Sequence, residues 1–235
     1  VLRRYAMIGD GLSHVGFGAL SVAYALNLAP MAVAVPVVIL AAFLLLGLSG
    51  SRRLRGDSAI AVLSSSALAL GVVANSLAGG SATDLSGYLF GSILTLTRAD
   101  VVLSVSLSAV VILLFVLFKN RIFAVTFDEP FAKSAGVRVG LYNGLLALLI
   151  AVTVVVGMRI VGTMLISSLI IFPALGAMQL AGSFRGVVLL SALISVVSFL
   201  LGLLFAMTLP AGATIVLCNL AALLICTVLG KVVKH

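Results

Sequence analysis

Residues 186–208 read Gly186-Val187-Val188-Leu189-Leu190-Ser191-Ala192-Leu193-Ile194-Ser195-Val196-Val197-Ser198-Phe199-Leu200-Leu201-Gly202-Leu203-Leu204-Phe205-Ala206-Met207-Thr208, without one charged side chain. Coiled as a helix, such a run is about 34 Å long, enough to cross the ~30 Å hydrocarbon core of a bilayer. Runs of the same kind recur at about 7–28, 31–49, 59–79, 101–118, 140–158, 160–175 and 211–230. Of the 235 residues, 63% are hydrophobic and 9% charged, against roughly 25% charged in a soluble domain. No soluble core of this size could bury so much apolar surface. A membrane barrel would show ~10-residue alternating segments, whereas these runs are continuous and rich in Leu, Ala and Val. The predicted fold is all-α: a polytopic transmembrane bundle of about eight segments, one domain over 1–235. The 160–175 run is short and meets Phe172-Pro173-Ala174, so it is expected to dip into the membrane without a full crossing. The longest polar stretch, Lys119 to Arg138, is too short to fold alone.

Turn residues separate the runs at Asn27-Leu28-Ala29-Pro30, Gly50-Ser51-Arg52-Arg53, Gly79-Gly80-Ser81 and Leu209-Pro210-Ala211-Gly212. Cytoplasmic loops concentrate Lys and Arg, which gives an independent test of the segment count. With alternating segments and Arg3 and Arg4 inside, the inner side also receives Arg52, Arg53, Arg55, Lys119, Arg121, Lys133, Arg138, Arg185, Lys231 and Lys234. Only Arg98 and Arg159 fall outside, twelve against two of the 14 basic residues. That asymmetry explains the net charge of +8 without nucleic acid as a partner. The chain opens Val1-Leu2-Arg3-Arg4, with neither an initiator Met nor the order of a signal peptide; a further helix is expected ahead of it.

Residues 85–100 are amphipathic and too polar to span. They read as an interfacial helix with Tyr88 and Phe90 at headgroup level, or as a gate on the substrate-entry side. Gly136, Gly140 and Gly144 form a small-residue ladder of the type that lets helices approach closely. Cys218 and Cys226 lie about 12 Å apart along one helix, too far for a disulfide, and read as packing residues.

Few side chains can do chemistry. Asp57, Asp84, Asp100, Asp128 and Glu129 fall at predicted loops and surfaces. Asp10 differs, because it opens an apolar run together with His14, one of only two His. Four helical residues place both on one face, and an Asp at the centre of a spanning helix costs about 2.5–3.5 kcal/mol. An imidazole nitrogen with a carboxylate oxygen suits Zn²⁺, Mn²⁺ or Fe²⁺. Two ligands are too few for a closed structural site, and weak, incomplete coordination is what a transport pathway requires. The competing reading is a carboxylate at a helix N-terminus beside a hydrogen-bonded His. There is neither a G-x-x-x-x-G-K-[ST] phosphate loop nor an H-E-x-x-H motif, so an enzyme is not expected.

Five stretches in order resemble the permease subunits of bacterial zinc/manganese/iron-chelate ABC importers. They are Arg3-Arg4-Tyr5-Ala6-Met7-Ile8-Gly9-Asp10-Gly11-Leu12-Ser13-His14; Tyr88-Leu89-Phe90-Gly91-Ser92-Ile93-Leu94 with Arg98-Ala99-Asp100; Phe127-Asp128-Glu129-Pro130-Phe131-Ala132-Lys133-Ser134-Ala135-Gly136-Val137; Met158-Arg159-Ile160-Val161-Gly162 through Leu165 and Pro173-Ala174 to Arg185-Gly186; and Leu209-Pro210-Ala211-Gly212-Ala213-Thr214-Ile215. The sequence departs from that pattern at Gly11, where Ala is common, and at Val15-Gly16-Phe17-Gly18, where many members have a Pro-containing step. The resemblance implies a multi-pass protein of the bacterial cytoplasmic membrane, working as a homodimer with cytoplasmic ATPase subunits and an extracytoplasmic metal-binding protein. It implies Asp10 and His14 as ligands in the metal pathway, with ATP held by the partner subunit and no cofactor on this chain. It also places ATPase coupling on a cytoplasmic helix from Pro173 to Arg185, including Ala174, Gln179 and Ser183. The rival reading is a gradient-driven metal transporter or channel that needs no ATPase.

Overall fold

The structure, a computed structural model, describes residues 6–49, 56–79, 91, 98–206 and 211–233. Among them all regular structure is helical: α1 (Ala6–Ala25), α2 (Pro30–Ser49), α3 (Gly56–Leu77), α4 (Arg98–Phe127), α5 (Glu129–Ser134), α6 (Val139–Val161), α7 (Thr163–Leu180), α8 (Phe184–Phe205) and α9 (Ala211–Val233). The turns at 50–53, 80–81 and 209–210, the first residues Arg3–Tyr5, Lys234, and most of the 85–97 segment with Tyr88 and Phe90 lie outside the described residues.

Seven helices, α2 to α4 and α6 to α9, are long and apolar enough to cross a membrane. The eighth expected segment is α1, of similar length at 20 residues, but it carries Asp10, Ser13, His14 and Ser21 and falls short on hydropathy. It is less apolar because it faces protein. Leu12, Phe17 and Ala23 on it are fully buried, and it packs on α2, α3, α6 and α7.

Helix directions follow from the close approaches. Gly11 lies against Ile60 and Gly18 against the Ala67 carbonyl, so α1 and α3 run parallel. Gly9 meets Ile170 while Ser13 meets Ser167, so α7 runs opposite to α1. Gly176 packs on Cys226 and Gly230 on Gln179, which sets α9 parallel to α7, and Gly202 against Ile215 turns α8 the other way. Gly157 against Ile166 makes α6 and α7 an antiparallel pair. The directions alternate as the charge count requires, with Lys119, Arg121, Lys133, Arg138 and Arg185 at one end of the bundle and Arg98 at the other. One apolar core joins α1, α2, α3, α6 and α7, and a second joins α4, α5 and α6. Helix α6 belongs to both.

Four expectations need correction. The segment expected over about 101–118 does not end there, since α4 continues to Phe127. Arg121 is held there: its Nη1 donates to the Tyr142 hydroxyl at 2.7 Å and its guanidinium lies 5.9 Å from that ring. Helix α5 follows at once, started by the Asp128 carboxylate, which accepts from the Phe131 amide at 2.9 Å. The 160–175 run does not stop at its proline, because α7 continues to Leu180 and is itself a candidate span. Neighbouring helices tolerate the missing amide in a membrane bundle, and Pro173 is fully buried among them. A separate coupling helix from Pro173 to Arg185 is therefore absent: the segment is the end of α7, a short turn, and the start of α8. Lastly, the ladder at Gly136, Gly140 and Gly144 is not a tight seam. A methyl at Gly136 or Gly140 would meet nothing within 4 Å, and at Gly144 only Phe43 at 3.4 Å. A tight seam lies instead between α1 and α3.

Candidate functional site

The α1–α3 seam determines where Asp10 and His14 point. A methyl on Gly18 would stand 2.5 Å from the Ala67 carbonyl oxygen, and one on Gly11 2.6 Å from Ile60 Cγ2. Only glycine lets the two backbones close to this distance. On the opposite flank Ser13 faces α7, its hydroxyl 3.0 Å from that of Ser167, either being able to donate. With about 100° per residue, Asp10 and His14 fall on the wheel between Ser13 and the two glycines. They look into the opening between α3 and α7, which no packed interface closes among the described residues.

In that opening His14 Nε2 stands 3.9 Å from Asp10 Oδ2. This is too long for a hydrogen bond. Two donors bound at ~2.1 Å to one tetrahedral ion stand about 3.4 Å apart, so a small side-chain adjustment makes the pair a chelate. The Asp10 side chain is 45% exposed and that of His14 19%. Solvent or an arriving ion reaches the carboxylate first. The other imidazole nitrogen, Nδ1, is buried without a hydrogen-bond partner among the described residues. Among the described residues no backbone or carboxylate acceptor holds the ring in one tautomer, as second-shell groups do at resident metal sites.

Around the pair lies polar lining that the sequence reading missed. Ser13 Oγ lies 2.7 Å from the Asp10 carbonyl and Ser167 Oγ 3.1 Å from the Thr163 carbonyl; with one proton each, whichever serine donates across the helices does so in place of its own carbonyl bond. The Thr163 hydroxyl is buried without a partner among the described residues. The available signal was the four-residue spacing of Thr163 and Ser167 inside an apolar run. Among the described residues no three of His, Cys, Asp or Glu come together; one chain offers two strong ligands.

The remaining site candidates are spread along the α7–α8 region. Pro173 is buried in mid-helix and Ala174 half-buried beside it. Gln179, Ser183 and Arg185 are exposed near the turn. Ser183 also caps α8, accepting from the Gly186 amide at 3.2 Å. At the opposite end of the bundle, Gly91 and Gly162 meet. A methyl on Gly91 would stand 2.5 Å from the Val161 carbonyl carbon, and both glycines hold left-handed φ values of 75° and 87°. Two of the five quoted stretches thus touch across the α6–α7 turn.

Residues 1–230 match the profile of the ABC 3 transport family. The chain belongs to the ABC 3 transport family. It is 32% identical to the manganese import system permease protein ScaB of Streptococcus gordonii, over 92% of this chain and 78% of that protein. It is 28% identical to the high-affinity zinc uptake system membrane protein ZnuB of Buchnera aphidicola, over 93% of this chain and 85% of the relative. Among solved structures it is similar to PsaBC from Streptococcus pneumoniae in complex with Fab, with a TM-score of 0.83 and 32% identity, covering 96% of this chain and 82% of that one. As a member of the ABC 3 transport family with seven apolar helices of spanning length, the chain is a multi-pass membrane permease.

Proposed function

We propose that this permease carries Mn²⁺ or Zn²⁺ inward through the bundle, powered by ATPase subunits on a separate chain. The observation that carries the reading is the Asp10–His14 pair, two ligand atoms 3.9 Å apart on a long helix that is not among the seven candidate spans. The relatives described above are named for manganese and zinc, and both ions accept nitrogen with carboxylate oxygen. Helix α1 is the eighth crossing, its polar face turned to the ion path. Two ligands per chain suit a homodimer, in which the symmetry-related pair completes a four-ligand passage site; closed homodimers are the commonest assembly. An extracytoplasmic metal-binding protein delivers the ion at the end carrying Gly91 and Gly162.

Contact with the ATPase is assigned to the basic end of the bundle. Buried Pro173 cannot touch a partner, and half-buried Ala174 lies on the same interior stretch of α7. Exposed Gln179 and Ser183 can, together with α5, whose Phe131 is 63% exposed. Arg185 lines a groove between α4 and α8.

The test is uptake into proteoliposomes holding the permease and its ATPase. ATP-dependent accumulation of manganese or zinc is expected, with Asp10→Ala and His14→Ala reduced to background while still assembling with the ATPase. Wild-type uptake by both variants would remove the pair from the pathway. Uptake by the permease alone down an ion gradient would replace the ATP-driven reading by the gradient-driven one.

A further inference from the structure

Between the C-terminal third of α4 and the first turns of α8 lies a groove of about 600 Å³, a size at which pockets hold small-molecule ligands. The ion path does not use it. Its walls come from helices that are not packed along each other: α4 packs on α6, and α8 on α7 and α9. At the basic end of the bundle aromatic rings bridge them, Phe184 standing 5.0 Å from Phe123 and 6.1 Å from Phe127 between centroids. Toward the membrane interior the walls are Phe115 and Val116 on α4 and Val188 and Leu189 on α8. Between the ring closure and those walls sit Lys119 and Arg185, with Asn120 beside them. Among the described residues neither cation's side chain has an ion-pair or hydrogen-bond partner.

We propose that this groove binds an anionic glycerophospholipid of the cytoplasmic leaflet. The phosphate sits between Lys119 and Arg185, Asn120 hydrogen-bonds the glycerol or ester oxygens, and the acyl chains lie along Phe115, Val116, Val188 and Leu189. Three observations select this occupant. The cations are unpaired among the described residues, so the groove carries positive charge that an anion neutralises. The apolar walls run inward from the cations, matching a headgroup with tails and not a free phosphate, which would leave them wetted. Those walls also belong to the candidate spans Ser104–Phe127 and Phe184–Phe205, helices long and apolar enough to cross a membrane. Basic pockets between membrane helices on the cytoplasmic side are a known setting for anionic headgroups.

The experiment is native mass spectrometry of the assembled transporter, permease with ATPase, released from nanodiscs of mixed phosphatidylglycerol and phosphatidylcholine. Phosphatidylglycerol is expected to be retained over phosphatidylcholine and to resist millimolar inorganic phosphate. Lys119→Gln and Arg185→Gln should each weaken retention about fivefold, the worth of one cation near the membrane surface. Val188→Trp should reduce it with both cations intact, by filling the tail path. Arg138→Gln, an exposed cation at the same end of the bundle, should leave retention as in the parent. Equal retention of the two lipids, or unchanged preference in the cation variants, overturns the proposal. So does displacement by inorganic phosphate, which would make the groove a phosphate site without a lipid. If instead the cation variants shed the ATPase while keeping phosphatidylglycerol, the groove is an ATPase contact and the lipid assignment fails.

Discussion

At Gly18 and Gly140 the same residue type meets opposite surroundings. A methyl on Gly18 would press into the Ala67 carbonyl, which is backbone and cannot swing aside. Overpacking of this kind costs about 1–3 kcal/mol, so Gly18→Ala is expected to lower the thermal midpoint of the detergent-solubilised permease. Gly140 faces open space, and Gly140→Ala should match or slightly exceed the parent, since alanine is favoured in a helix by about 0.5–1 kcal/mol. Equal midpoints for the two variants would show that the α1–α3 seam yields more than its geometry implies. Sequence spacing alone pointed to the wrong glycines, because a four-residue ladder says nothing about which neighbour it meets. The Asp10–His14 pair was legible, since four-residue spacing places two helical side chains together whatever surrounds them. The unpartnered Nδ1 of His14 and the Ser13–Ser167 contact were not, because both depend on how α7 lies against α1.

Among the elements, those that follow from run length were readable and those that end where tertiary contacts permit were not. Helix α4 passes Lys119 and Arg121 because long basic side chains reach the polar boundary while their stems stay against apolar surface. Helix α7 passes Pro173 because its neighbours pack around the break. The six-residue α5 could not be expected from periodicity; isolated helices that short are unstable, and this one relies on Asp128 as its cap and on Ala132 buried in the second core. Asp128→Ala removes the cap, worth about 0.5–2 kcal/mol, and should fray α5 with little effect on the midpoint of the whole bundle. If α5 is an ATPase contact as proposed, ATP hydrolysis by the assembled transporter should then lose its stimulation by metal delivery. Full stimulation in this variant would move the contact off α5.

For the whole molecule, the charge count and the glycine contacts of α1, α3 and α6 to α9 are independent routes to the same alternating directions. One uses where Lys and Arg fall, the other which residues touch. They can be checked together with a membrane-impermeant thiol reagent on sealed right-side-out vesicles, in a background where Cys218 and Cys226 are replaced. Leu28→Cys, at the exposed α1–α2 turn, should label from outside; Gly182→Cys, in the exposed α7–α8 turn, should label only after permeabilisation. The reverse pattern would invert the protein in the membrane.

The seam between α1 and α3 has a mechanical meaning. Gly11 with Ile60 and Gly18 with Ala67 keep one offset, 60 − 11 = 67 − 18 = 49 residues, so the two helices mesh like a rack with matched teeth. Sliding either along the other would carry a side-chain-bearing position into the place of Gly18, against a carbonyl with no room to give. The seam therefore opposes a shift of α1 along α3. A rearrangement that shifts Asp10 and His14 along the bundle axis is then expected to move the two helices as one body.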